Sequence, residues 1–104
     1  MRVGGRPGTE LHTLLAGLGI EMPEECQCKA RMQQMDAWGA GECRVRRSEI
    51  VDWLKESQRE AGWLATWQAA KVAVRESWFR VVDPLGSIVD EAIKRAEVKS
   101  LGSN

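Results

Sequence analysis

Apolar side chains recur every three or four positions along most of this chain, in segments separated by glycine and proline, and this spacing limits the fold more than any other feature. Leu11, Leu14, Leu15 and Leu18 share one helical face in the first segment. A half-buried strand would need a sustained alternation of apolar and polar residues, and the sequence contains none. The sequence therefore predicts an all-α fold, a small bundle of four to five helices.

Capping and breaking residues predict the ends of these helices. The first expected helix is 9–17, with Thr9 as N-cap and Gly17 and Gly19 at its end, and the second is 27–37, ended by Trp38 and a loop at Gly39 and Gly41. The third is 48–61, capped by Ser48, and the fourth is 64–81, stopped by Asp83 and Pro84. The fifth is 87–98, which begins with a capping box of Ser87 and Asp90. The chain has 104 residues, which fits a single domain. We expect a flexible N-terminal lead-in over 1–8, one helical domain over 9–98 and a frayed tail over 99–104.

The net charge of the chain bears on which partners it attracts. The chain carries fifteen acidic and fifteen basic residues, so its net charge is zero. The whole molecule should therefore not be drawn strongly to nucleic acid or to an anionic membrane. No apolar run approaches the roughly 20 residues that cross a bilayer, and residues 1–8 lack the apolar stretch of a signal peptide. We expect a cytoplasmic protein that does not enter membranes.

All the cysteines lie in one short stretch, as Cys26, Cys28 and Cys43. Their odd number, without a secretion signal, argues against a disulfide framework. A C-x-C pair and a third cysteine on the chain returning past the intervening helix could bring three thiolates to one metal. Structural zinc takes four thiolate or imidazole ligands. His12 is the only histidine, so the candidate zinc site is Cys26, Cys28, Cys43 and His12.

Two alternatives to zinc stay open at these cysteines. Three cysteines can hold an iron-sulfur cluster, with the remaining iron bound by another residue, for which Asp36 is the weaker candidate. The cysteines could equally be reduced, metal-free thiols, since free cysteine is among the most buried residue types.

The five tryptophans are predicted to serve mainly as core. Trp53, Trp67 and Trp78 lie on the same helical stripes as aliphatic residues, whereas Trp63 follows a helix break and is expected to be partly exposed. Aromatic residues are also enriched at interfaces, so tryptophan-rich helices leave room for a homodimer.

The run CQCKARMQQMDAWGAGECRVRRSEIVDWL follows GTELHTLLAGLGI and precedes DPLGSIVDEAIKRAE. Together they resemble a small uncharacterised family of phage and planctomycete sequences, whose pattern is G-T-x-L, C-x-C, M-D-x-W-G, a cysteine and I-x-x-W-L. The resemblance covers about Gly8 to Glu97 and implies no particular activity; a phage-encoded chain would act in the host cytoplasm. The residues that match its motif are Cys26, Cys28, Asp36, Trp38, Gly39 and Cys43.

Three functions follow from these features. The favoured one is a non-enzymatic accessory or protein-interaction module, pinned by a cysteine-bound metal, that binds an unidentified protein partner. Enzyme activity is disfavoured because a lone His12 on a leucine-rich helix has no evident catalytic partner. The second function is nucleic-acid binding through a local basic patch, and the third is an iron-sulfur redox or sensing protein. The basic patch consists of Lys29, Arg31, Arg44, Arg46 and Arg47.

Overall fold

The computed structural model describes residues 5–20, 28–80 and 82–102, with side chains described as far as residue 99. Five helices follow one another along the chain: α1 (Pro7–Gly17), α2 (Cys28–Val45), α3 (Arg47–Glu60), α4 (Leu64–Lys71) and α5 (Pro84–Gly102). No strand occurs within the described ranges. The prediction of an all-α bundle with four to five helices is confirmed.

α1 begins before the predicted position because Pro7 occupies its first turn. Proline suits that place, since its φ is already helical and it has no N–H to leave unpaired. Pro7 and Gly8 are buried. The predicted lead-in over 1–8 is therefore too long at its C-terminal end, and Thr9 lies inside the helix rather than capping it.

α1 ends in a Schellman motif built on one of the two glycines that were predicted to end it. Gly19 has a φ of 82°, which glycine adopts without strain. Its N–H donates to the carbonyl of Ala16, and the N–H of Ile20 donates to the carbonyl of Leu15, each over 3.0 Å. Ile20 is 1% exposed, so the motif also places an apolar side chain in the core.

α2 is bent at Gly39, where φ is 80° and ψ is 172°. The predicted break therefore falls at the right residue, but the predicted loop does not form. The helix resumes directly and continues to Val45. The predicted start of this helix at residue 27 lies outside the described residues.

α3 agrees with its predicted range, whereas α4 ends at Lys71, well before the predicted end at residue 81. The β-branched Val72 and Val74 weaken the helix at this point. The guanidinium of Arg75 donates to the carbonyl oxygens of both valines, over 3.2 and 3.4 Å, which satisfies acceptors that a longer helix would have used. The chain that follows brings Phe79 against the core.

α5 begins one turn earlier than predicted. A carboxylate oxygen of Asp83 accepts a hydrogen bond of 3.3 Å from the N–H of Gly86, which satisfies a donor of the first turn. Pro84 occupies the first position. The predicted capping box is wrong, because the hydroxyl of Ser87 lies within the helix and donates to the carbonyl of Pro84 over 2.8 Å. An aspartate followed by proline starts this helix, although it was interpreted as the stop of the one before.

α5 is the central helix and packs against α1, α2 and α3. Its predicted inner face is confirmed: Val89, Ala92, Ile93 and Ala96 are each 0% exposed. The other helices bury apolar side chains around it, namely Leu11, Leu15, Met32, Met35, Ile50, Leu54 and Trp67.

One buried carboxylate joins α1 to α5. Glu10 on α1 is 6% exposed and forms a salt bridge with Lys99 on α5. A carboxylate is costly to bury without such a partner. The pair fixes the last turns of α5, which run to Gly102 where a frayed tail was predicted from residue 99.

The tryptophans divide differently from the prediction. Trp67 is buried as expected, but Trp53 and Trp78 are only half-buried. Trp63 is 3% exposed, so its predicted partial exposure is wrong. Its ring packs edge-on against that of Trp67, with centroids 6.4 Å apart. The ring of Phe79 also packs against that of Trp67, with centroids 6.2 Å apart. Packing in this aromatic cluster accounts for the burial of Trp63.

Candidate functional site

Cys43 has the environment of a core thiol. It is 0% exposed, and its thiol donates to the carbonyl of Met35 over 3.4 Å. Burial raises the pKa of the Cys43 thiol to about 11, and the nearby carboxylates of Asp36 and Glu42 add to the rise. A cysteine binds metal as the thiolate. The surroundings of Cys43 favour the neutral form instead.

Cys28 is disulfide-bonded, so the prediction that argued against disulfides is wrong for this residue. Its sulfur accepts a hydrogen bond from the hydroxyl of Ser57, with 3.3 Å between Sγ and Oγ. A disulfide sulfur carries no thiolate that could bind a metal. Cys26, the other cysteine of the C-x-C pair, lies outside the described residues.

His12 and Asp36, the two candidates for a fourth ligand, line a groove of about 510 Å³ between α1 and α2. Asp36 is already engaged, because its carboxylate accepts from the N–H of Thr9 at 3.0 Å and from the Thr9 hydroxyl at 2.8 Å. Within the part of the chain that the structure describes, no three His, Cys, Asp or Glu side chains could together hold a metal ion. These described donors do not fit the predicted zinc or iron-sulfur centre.

We expect Cys43 to react very slowly with Ellman's reagent in the native protein. With a pKa of about 11, only about one molecule in a thousand carries the thiolate at pH 8, and the sulfur is shielded from solvent. The measurement uses a Cys26→Ser/Cys28→Ser background, so that Cys43 is the only thiol. Labelling in urea serves as the control and should be at least about 100-fold faster. Similar rates in both states would contradict the burial of this thiol.

Every arginine of the predicted nucleic-acid patch is paired with a carboxylate. The shortest distances are 2.8 Å for Arg31 with Glu56, 2.5 Å for Arg44 with Glu97, 2.6 Å for Arg46 with Glu42 and 2.6 Å for Arg47 with Asp90. Lys29, the fifth member, is exposed on α2. Phosphate binding depends on charges that are free to replace counterions. The pairs therefore leave this patch with little net positive charge.

Trp38 and Trp53 stack between two of these arginines. Their ring centroids are 5.4 Å apart at an interplanar angle of 19°. The guanidinium of Arg46 lies 4.6 Å from the centroid of Trp38, and that of Arg31 lies 6.0 Å from the centroid of Trp53. These are cation–π contacts. Since the chain's own side chains cover the outer faces, the stack joins α2 to α3 and offers no open platform for bases.

Arg47 links the start of α3 to the start of α5. Its guanidinium holds Asp90 through two bonds of 2.6 and 3.2 Å, and Asp83 through one of 2.8 Å. Hydrogen bonds from Arg47 hold the pKa of Asp83 below its usual range. Burial opposes ionisation of Asp90, but bonds from Arg47 and Arg80 outweigh it and lower that pKa too. The carboxylates in turn raise the pKa of Arg47.

Acid should weaken this network in a defined pH range. Folding lowers the pKa of these carboxyl groups. Each group therefore stabilises the fold at pH values above its pKa in the unfolded chain, about 3.9, and this stabilisation is lost as the pH falls through its lower pKa in the folded chain. We expect Arg47→Gln to lower the free energy of unfolding by about 1 kcal/mol at pH 6. The difference from wild type should shrink below pH 3, as Asp83 and Asp90 become protonated.

Urea unfolding between pH 2.5 and 6 measures this effect. Lys94→Gln, a change at an exposed residue of α5, is the matched control, and it should leave stability within about 0.5 kcal/mol at every pH. A difference for Arg47→Gln that stays constant over the whole range would contradict the role of the two aspartates.

A second groove, of about 590 Å³, lies between α3, α4 and the residues that lead into α5. Its lining combines five apolar residues with six polar or charged ones. Two of the apolar side chains are open to solvent: Leu64 is 45% exposed and Val82 is 93% exposed. Trp67 and Leu85, which also line it, are 3% and 8% exposed and belong to the core beneath. We call this feature the α3–α4 groove.

Three cations line the α3–α4 groove. Lys55 and Arg59 lie four residues apart on α3, and Lys71 is the last residue of α4, on the other side of the groove. Among the described residues, none of the three forms a salt bridge. The groove therefore combines two exposed apolar side chains with three cations that form no salt bridge among the described residues. Asp83, its one acidic lining residue, is bound to Arg47.

α3 separates its charges between its two sides. Two of its glutamates bind arginines on one side: Glu56 binds Arg31 on α2, and Glu49 binds Arg46, which lies between α2 and α3. Lys55 and Arg59 line the groove on the side of α4. Lys55 and Arg59 were not predicted as site residues, because α3 carries more acidic than basic side chains. Their spacing of four residues, which places them on one face, was the available signal.

Comparison of the chain with protein-family models, curated proteins and solved structures gave no match. No helix in the described ranges is both long enough and apolar enough to span a membrane. The α3–α4 groove is the candidate functional site, because it combines exposed apolar side chains with three cations that form no salt bridge among the described residues.

Proposed function

We propose that this chain is a non-enzymatic protein-interaction module that holds a segment of a partner protein in the α3–α4 groove. One observation carries the proposal: Leu64 and Val82 stand exposed around a concave surface that the buried side chains of Trp67 and Leu85 also line. Solvent-exposed apolar patches rimmed by polar residues are typical of protein-binding surfaces. The volume of about 590 Å³ suits a few side chains of a partner.

A cysteine-bound metal is not part of this proposal. The disulfide at Cys28 and the neutral, buried thiol of Cys43 both disfavour it. The core around α5 supplies apolar packing without such a site. Nucleic-acid binding by the predicted basic patch is disfavoured as well, because its arginines are neutralised within the chain.

Selection from a library of helical peptides tests the proposal. A library of peptides of about 16 residues is selected on the wild-type protein, with removal of peptides that also bind Val82→Asp. The exposed position of Val82 makes this variant tolerable for folding. We expect enriched peptides to bind wild type with a Kd of about 10 μM or tighter, and the variant at least about tenfold more weakly.

Val45→Asp is the matched control, because Val45 is 79% exposed but lies at the end of α2, away from the groove. Binding of the enriched peptides to this control should stay within about twofold of wild type. Failure to enrich any peptide, or equal binding to wild type and Val82→Asp, would overturn the proposed function.

A further inference from the structure

We propose that the segment held in the α3–α4 groove is an acidic amphipathic helix. This inference rests on the function proposed above and specifies its ligand. The partner helix places an apolar stripe against Leu64 and Val82, and carboxylates beside that stripe contact Lys55, Arg59 and Lys71.

The charge of the ligand follows from the contrast between this groove and the rest of the surface. Arg31, Arg44, Arg46 and Arg47 each hold a carboxylate of the same chain. The three groove cations hold none among the described residues. Complementary charge steers association and excludes partners of the wrong sign. An acidic segment is therefore the ligand that this groove selects.

The helical form follows from the shape of the site. The cations stand on both sides of the groove, with Lys55 and Arg59 on α3 and Lys71 on α4. A helix that presents one apolar stripe flanked by carboxylates satisfies both sides at once, as in other helix-in-groove complexes. Strand addition is the main alternative for peptide binding, but the described residues form no strand whose edge could accept one.

Single-stranded nucleic acid matches the groove less well, although it too is anionic. Binding without sequence preference relies on open aromatic faces for base stacking. Trp67 is 3% exposed and offers no such face. Leu64, Val82 and the carboxylate of Asp83 line the groove beside the three cations, and none of them would attract a phosphate backbone. These features favour a protein ligand.

Fluorescence anisotropy with three labelled peptides tests the inference. The first peptide, of about 16 residues, carries leucines at helical spacing with glutamates beside them; the second replaces each glutamate with lysine; the third replaces the leucines with serine. The proteins are wild type, the charge-reversed variant Lys55→Glu/Arg59→Glu/Lys71→Glu, and the control Lys94→Glu on α5. Circular dichroism verifies that all three proteins are folded.

We expect the acidic peptide to bind wild type with a Kd of about 10 μM or tighter, and the lysine and serine peptides at least about 30-fold more weakly. Charge reversal in the groove should weaken the acidic peptide at least about 30-fold and strengthen the lysine peptide, while Lys94→Glu should change either by less than about twofold.

Other results overturn the inference in ways that can be told apart. Equal binding of the acidic and lysine peptides would refute the acidic ligand while leaving the proposed groove function intact. If no peptide binds and library selection also fails, both proposals fall. If oligo-dT displaces the acidic peptide, binds more tightly and depends on the same three cations, the groove is a nucleic-acid site instead.

Discussion

Gly8→Ala is expected to lower the free energy of unfolding by about 3 kcal/mol, whereas Gly17→Ala on the same helix should raise it by about 0.5 kcal/mol. A Cβ atom at Gly8 would lie 1.9 Å from the backbone carbonyl oxygen of Met32. Backbone atoms cannot move aside as a flexible side chain can. α1 and α2 would have to separate, which would also disturb the bonds between Thr9 and Asp36.

Gly17 is the matched control because a Cβ there has no neighbour within 4 Å. Alanine at that position favours the helix by reducing the freedom of the unfolded chain. Urea unfolding followed by circular dichroism measures both variants under the same conditions. A loss of less than about 1 kcal/mol for Gly8→Ala would mean that α1 does not approach α2 as closely as described.

Ile93→Ala is expected to cost about 3 kcal/mol, the second large effect. Ile93 is 0% exposed on the central helix, where α1, α2 and α3 converge. Removing its side chain loses apolar burial and leaves a cavity that three packed helices can close only in part. Thermal and urea unfolding should both show the loss.

Val98→Ala on the same helix is the control for the second prediction. Val98 is 57% exposed, so its truncation should change the free energy of unfolding by less than about 0.5 kcal/mol. Equal losses for Ile93→Ala and Val98→Ala would show that α5 does not present its 89–96 face to the core.

Features that depend on near neighbours in the chain were predictable. The inner face of α5, from Val89 to Ala96, follows from helical spacing alone, and so does the extent of α3. The bend at Gly39 and the Schellman motif at Gly19 follow from the ease with which glycine adopts positive φ. In each case the physical cause lies within about one turn of the residue concerned.

Features that depend on distant contacts were not predictable. The chain beyond Lys71, where α4 ends, packs Phe79 against Trp67. Asp83 stabilises the start of α5 because its carboxylate accepts hydrogen bonds from the N–H of Gly86 and from the guanidinium of Arg47. Trp63 is buried by the same aromatic cluster, although its neighbours in sequence suggested a surface position.

The candidate site shows the same limit. The cysteines attracted a functional interpretation because they are rare and clustered, but spacing does not report the burial that sets the pKa of Cys43. The arginines of the basic patch are close in sequence, yet their carboxylate partners include Glu97 and Asp90 on α5. The α3–α4 groove draws its lining from three separate segments, so no single stretch of sequence revealed it.

The sequence by itself determined that this protein is helical, where most of its helices lie and which face of α5 is buried, because helical periodicity and glycine conformations are local properties. Only the tertiary structure decided which charges are neutralised and which remain open. Glu56 binds Arg31 of α2 and Glu49 binds Arg46 between α2 and α3. Lys55, Arg59 and Lys71 instead line the α3–α4 groove. Pairing of charges depends on distances between helices, and those distances are set by packing across the whole core.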